Sequence, residues 1–106
     1  MNARQLSPEL EARRGEVAAL CRSFGVEQLD LFGSAARGEA RVGSDLDFLV
    51  RFRAPHDRGY AERYLGLAEA LEGLFGRPVD LMTDRSVRNP LLRDAIAADR
   101  RTVYAG

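Results

Sequence analysis

Residues 31–50 read LFGSAARGEARVGSDLDFLV, and the way this stretch divides decides the fold. It opens on the end of an apolar run, Leu29-Asp30-Leu31-Phe32, and breaks at Gly33-Ser34. After Arg37-Gly38 and a polar segment it resumes as Asp45-Leu46-Asp47-Phe48-Leu49-Val50. Val26 to Phe32 is predicted to be a strand of about seven residues. Ala35 to Gly38 suits one short helical turn, Glu39 to Ser44 an exposed loop, and Asp45 to Phe52 a second strand entering the core. Strand residues two apart share a face, with Cα atoms roughly 6.5 Å apart. Asp45 and Asp47 are therefore expected to project together, with Leu46 and Phe48 facing the other way.

Outward from this stretch, the pattern alternates between helix and strand. Ser7-Pro8-Glu9 predicts a helix start, with Ser7 as cap and Pro8 in the first position. Leu10, Val17, Leu20, Cys21 and Phe24 recur at helical spacing up to a stop at Gly25. Arg53 to Gly59 reads as a surface connection. Tyr60 to Phe75 predicts a second long helix with its stripe at Tyr64, Leu67, Ala68, Leu71, Leu74 and Phe75, closed by Gly76. Val79 to Met82 is a short strand. Asn89-Pro90 opens a helix whose inner face is Leu91, Leu92, Ala95 and Ile96, and Arg101 to Tyr104 is a last short strand. The implied class is α+β with α/β-like alternation, a sheet of about four strands flanked by helices. A connection of about twelve residues between the first two strands suits a hairpin or a tight crossover, so strand direction stays open.

At 106 residues the chain is expected to be a single domain, 1–106, with one core. Hydrophobic residues at 45% and charged residues at 30% are ordinary globular values, which excludes a disordered chain. Sixteen basic residues balance sixteen acidic ones, so no net field draws the chain to nucleic acid or a membrane. All the basic residues are arginine, which excludes a lysine nucleophile or a Walker-type lysine. The one cysteine, Cys21, cannot form an internal disulfide, which fits a cytoplasmic location. No membrane-spanning run or signal peptide is visible.

Asp45 and Asp47 repel unless a cation sits between them, and a hard divalent ion such as Mg²⁺ or Mn²⁺ is the natural occupant. Gly33 allows close backbone approach, and Ser34 adds a hydroxyl beside exposed N–H groups, so an anion can dock there. Arg37, one helical turn later, could reach the same anion. Asp80, between Val79 and Leu81, would complete a carboxylate cluster if its strand is adjacent, holding a second metal or taking a proton from a hydroxyl. Each feature alone is commonplace, a solvated strand edge or a turn; their joint order and spacing is not.

Gly33-Ser34, ten residues, then Asp45-Leu46-Asp47 resembles the G-S-x(10)-D-x-D signature of the DNA polymerase β-like nucleotidyltransferases. The string GSAARGEARVGSDLDFLV is similar to the minimal nucleotidyltransferase (MNT) branch, and GRPVDLMT to its third-carboxylate strand. The resemblance implies the polymerase β-like fold with a mixed sheet. It also implies that Asp45, Asp47 and Asp80 are catalytic and metal-binding, with Gly33, Ser34 and Arg37 at the nucleotide. Mg²⁺ and ATP are then the expected cofactor and donor. Such proteins resemble antitoxins paired with an all-helical HEPN-type ribonuclease toxin, onto whose tyrosine AMP is transferred. A homodimer or hetero-oligomer fits that setting. The chain stops soon after Tyr104, leaving no room for the acceptor domain of larger relatives, so a partner protein is the expected acceptor. The alternatives are an antitoxin that neutralises by binding alone, and transfer to a small molecule such as an aminoglycoside.

The remaining candidates read as structural. Cys21 lies on an apolar stripe and is expected to be an inert buried thiol. His56 stands in a polar loop without metal-ligand partners. Tyr60, Tyr64 and Tyr104 are expected to pack with their hydroxyls toward solvent, and Arg100-Arg101 to form a solvated helix end.

Overall fold

Four strands form one sheet in the order β3-β2-β1-β4: β1 (Val26–Phe32), β2 (Leu46–Phe52), β3 (Val79–Thr83) and β4 (Arg101–Ala105). The computed structural model describes residues 8–38, 45–54, 58–83 and 86–106, apart from the Ser34 side chain. Ser7, the loop from Glu39 to Ser44, and His56 therefore lie outside the described residues. β1 is antiparallel to both β2 and β4, whereas β2 and β3 are parallel. The sheet is thus mixed, as expected, and the parallel pair is joined by the long crossover helix α4 (Tyr60–Phe75) that such a connection requires. Among the described residues, no helix is long and apolar enough to cross a membrane.

The first helix departs from the single element expected. It is two helices, α1 (Pro8–Ala12) and α2 (Arg14–Ser23), separated at Arg13. The Arg13 N–H reaches back only to the Leu10 carbonyl, at 3.2 Å, a tighter turn than an α-helix makes. Gly15, a weak helix former, is the second residue of α2 and lowers the cost of the break. The apolar stripe survives: Leu10, Val17 and Cys21 are buried, with Leu20 and Phe24 packed beside them. Burial pushes the Cys21 thiol up to about 12, so it is inert at neutral pH.

Alternation along the strands sorts side chains onto two faces. Leu46, Phe48, Val50 and Phe52 turn to the main core, against Leu67, Leu71 and Phe75 of α4 and the α2 stripe. Val26 and Leu29, three apart, both join that core because a register shift between Val26 and Gln28 inserts one residue into β1. The opposite face carries a smaller cluster, Phe32, Leu49, Val87 and Ile96, with Met82 beside it. It lies under α5 (Pro90–Asp99), whose start is capped by Asn89 accepting from the Leu91 N–H at 2.9 Å. Of the inner face expected for α5, only Ile96 is buried; Leu91 is 79% exposed, and Leu92 and Ala95 are exposed too. The second cluster is too small to receive more than one side chain of the helix.

On that same face Asp30 is 1% exposed, yet it sits mid-strand between two core leucines. Arg100, at the α5–β4 junction, donates to Asp30 Oδ2 through Nε at 2.8 Å and through Nη2, and the Gln28 amide adds two more bonds. Arg100 is thus no solvated helix end: the chain turns directly from α5 into β4 and carries the guanidinium down to the buried carboxylate. Arg101 departs likewise, its Nη1 donating to the Asp99 and Arg100 carbonyls.

The pair is asymmetric. The Arg100 side chain keeps 36% exposure and can rehydrate, whereas Asp30 cannot. Arg100→Met is therefore expected to cost about 3 kcal/mol, because it strands a buried charge. Asp30→Asn should cost less. Urea denaturation of the two variants checks the order, and an equal or larger loss for Asp30→Asn would contradict it.

Candidate active site

β2 and β3 run parallel and in register, which makes Asp47 and Asp80 direct partners on adjacent strands. Neighbouring strands lie about 4.8 Å apart, and paired residues share a face, so two carboxylates are set side by side. On the other flank of Asp47 the last residue of β1, Phe32, is its antiparallel partner. Gly33 therefore falls against the Asp47 side chain. A Cβ placed on Gly33 would lie 2.5 Å from Asp47 Oδ2, and its φ is +75°. The backbone conformation favours glycine there, while the Asp47 carboxylate would have to turn aside for a larger residue.

Gly33 also opens α3 (Gly33–Ala36), the short helical turn expected after the first strand. Ser34 occupies its second position. The Arg37 N–H closes the turn on the Gly33 carbonyl at 3.2 Å. The Arg37 side chain is not simply turned to an anion: its Nη1 lies 2.6 Å from Asp99 Oδ2 at the end of α5. Asp45 stands one residue ahead of β2 and is exposed, as is Asp80, while Asp47 is half-buried.

The electrostatics follow from this layout. The Asp47 carboxyl is held above the ordinary carboxylate range by its burial first, then by the charges of Asp80 and Asp45, and Arg37 partly offsets the rise. Three acidic groups thus bear on one point. Among the described residues, however, no three His, Cys, Asp or Glu side chains close a metal shell by themselves. Mg²⁺ characteristically takes one or two carboxylates and completes its shell with substrate phosphates and water. The donor set is all oxygen and fits a hard cation.

Two neighbours of the site were not legible beforehand. The Tyr64 hydroxyl, expected in solvent, donates to the Leu81 carbonyl one residue beyond Asp80. Burial and then the Asp80 charge raise the pKa of Tyr64. The other is Asp99, which sequence spacing places 62 residues from Arg37. An apolar groove of about 390 Å³, lined by Tyr60, Ala61, Tyr64, Leu65, Thr83 and Ser86, opens on the Tyr64 side.

Comparison with known proteins identifies the family of the chain. The nucleotidyltransferase domain family matches residues 16–103. A Methanocaldococcus jannaschii protein named "Putative protein adenylyltransferase MJ1379" is 38% identical over 94 residues, 89% of this chain and 93% of the relative. A solved structure described as a "putative minimal nucleotidyltransferase" is 37% identical, with a TM-score of 0.73 over 93% of this chain and 97% of that one. A chain from a toxin–antitoxin crystal structure with AMP-PNP shares the fold at 21% identity, with a TM-score of 0.68 over 88% of this chain and 73% of its own.

The Gly33 contact can be tested against Gly38, which has the same φ of +75° but no neighbour within 4 Å. Gly38→Ala is expected to carry only the conformational penalty, of order 1 kcal/mol. Gly33→Ala should cost about the same in chemical denaturation, because the atom it meets is the tip of the Asp47 side chain, which can turn aside. A distinctly larger loss for Gly33→Ala would show that the Asp47 contact itself imposes glycine.

Proposed function

The chain belongs to the nucleotidyltransferase domain family, in its minimal branch, and we propose on that footing that it transfers AMP from ATP to a tyrosine hydroxyl of a HEPN-type toxin, acting as the antitoxin. The observation that carries this reading is the in-register Asp47–Asp80 pair beside Gly33. Asp45, Asp47 and Asp80 would hold Mg²⁺ together with the triphosphate. The ion supplies positive charge where negative charge builds up on the phosphoryl oxygens. Gly33 lets the phosphates approach the backbone, Ser34 and the turn's N–H groups bind them, and Arg37 adds a cation.

Transfer requires the acceptor oxygen to attack the α-phosphorus in line with the departing pyrophosphate. The new oxygen–phosphorus bond forms as the bond to pyrophosphate breaks, and the hydroxyl proton passes to a carboxylate. Asp80, exposed on the edge strand, is the group assigned to take it. A protein acceptor is supported by the name of the Methanocaldococcus relative, and a toxin partner by the toxin–antitoxin fold neighbour. The apolar groove beside Tyr64 suits an aromatic side chain better than a polyhydroxylated small molecule. ATP, abundant in the cytoplasm, makes that compartment the site of action.

Incubation with labelled ATP, Mg²⁺ and a HEPN-type partner should place label on a partner tyrosine. Asp45→Asn with Asp47→Asn is expected to lower transfer by at least about a hundredfold. Chelation of the metal should do the same. Neutralisation that needs no ATP and survives the double substitution would replace this reading with one of binding alone.

A further inference from the structure

We propose that the groove between α4 and the end of β3 is the docking site for the acceptor protein, seating one of its large apolar side chains beside the modified tyrosine. The inference deepens the reading above and rests on it. One wall is a single face of α4, made by Tyr60, Ala61, Tyr64 and Leu65, and the other is Thr83 with Ser86. The space between them is about 390 Å³, enough to enclose such a side chain. None of these six residues carries a formal charge, so they offer a triphosphate nothing, whereas an apolar group gains by leaving water there. Leu65, 61% exposed on the α4 wall, extends the apolar surface to the outside of the molecule.

The walls are fixed by contacts of their own. Tyr60 stands edge-on to Phe52 with ring centroids 5.3 Å apart, and the Arg63 guanidinium lies over both rings. Tyr64 is tied through its hydroxyl to the Leu81 carbonyl. Opposite them, the Thr83 and Ser86 N–H groups each donate to the other's hydroxyl at 3.2 Å, and the Ser86 hydroxyl donates to the Thr83 carbonyl at 2.8 Å. A groove built this way loses little to ordering when it is filled.

Its position matches the acceptor side of the reaction. Leu81, whose carbonyl Tyr64 holds, follows Asp80 directly, and Thr83 lies three residues beyond Asp80, about 10 Å along the strand. After burial, the Asp80 charge is the next cause that raises the Tyr64 pKa, so groove and carboxylate are electrostatic neighbours. β3 is an edge strand, and a partner segment can pass from the groove round that edge to Asp80 without crossing another strand. About three extended residues span the interval.

The test is steady-state transfer of labelled AMP to a HEPN-type partner protein by the full chain, with calorimetric titration of MgATP and urea denaturation alongside. Ala61→Trp fills the groove from an exposed position, and Leu65→Glu charges its wall; Leu91→Glu makes the same change on the exposed face of α5. Ala61→Trp and Leu65→Glu are each expected to raise the KM for the partner at least about tenfold, the scale of one lost anchor. Affinity for MgATP and kcat at saturating partner should stay within about twofold of wild type, and Leu91→Glu should change neither constant. An unchanged partner KM in stably folded Ala61→Trp and Leu65→Glu, or an equal rise in Leu91→Glu, would overturn the docking role while leaving the transfer reading in place. Weakened MgATP binding in the groove variants would assign the groove to the nucleotide instead. A wild type that labels no partner would overturn the transfer reading and the docking role with it.

Discussion

The molecule is organised around a repulsion. Parallel, in-register pairing of β2 with β3 sets Asp47 beside Asp80, and two unit charges about 5 Å apart repel by about 1 kcal/mol in water and about 3 kcal/mol at an effective dielectric of 20. Nothing in the sheet requires acidic residues there; an apolar or mixed pair would be more stable. The surrounding residues fit the need to keep that unfavourable arrangement open to a cation. Gly33 gives Asp47 room, Arg37 tempers its charge, and Asp80 remains exposed on the edge strand.

The two faces of the sheet divide the work. One face is packed by α2 and α4 into a core that needs no polar help. The other carries, along its length, the carboxylates, a small apolar cluster under α5, and the Asp30–Arg100 pair. That pair contributes little net stability relative to an apolar alternative, since desolvation offsets much of the attraction. Its effect is geometric: it fixes where α5 ends and β4 begins, and so where Asp99 meets the turn after β1. Scaffold and site are thus joined through residues 99 and 100.

Much of this was legible in the sequence because local rules govern it. The strands from Val26 and Leu46 and the helix from Tyr60 to Phe75 follow from hydrophobic periodicity and glycine stops, and appear with those bounds or within one residue of them. Gly33 and Asp47 came together in keeping with their motif spacing, whereas Asp80 joins them only because its strand is adjacent and parallel, which had to come from the structure. The failures are where tertiary context overrides local pattern. Leu91, Leu92 and Ala95 have helical spacing, but the second face of the sheet offers cover only to Ile96. The break at Arg13 depends on one tight backbone turn. Asp30 with Arg100, and Arg37 with Asp99, join residues 70 and 62 positions apart, beyond the reach of any periodicity.

The central claim is that the clustered carboxylates are completed by a divalent cation brought in with nucleotide phosphates. Electron paramagnetic titration with Mn²⁺, with and without a non-hydrolysable ATP analogue, measures this directly. The account predicts weak Mn²⁺ binding alone, tightened at least about tenfold by the analogue and abolished in Asp47→Asn. Mn²⁺ affinity that ignores the nucleotide, or that persists unchanged in Asp47→Asn, would contradict it.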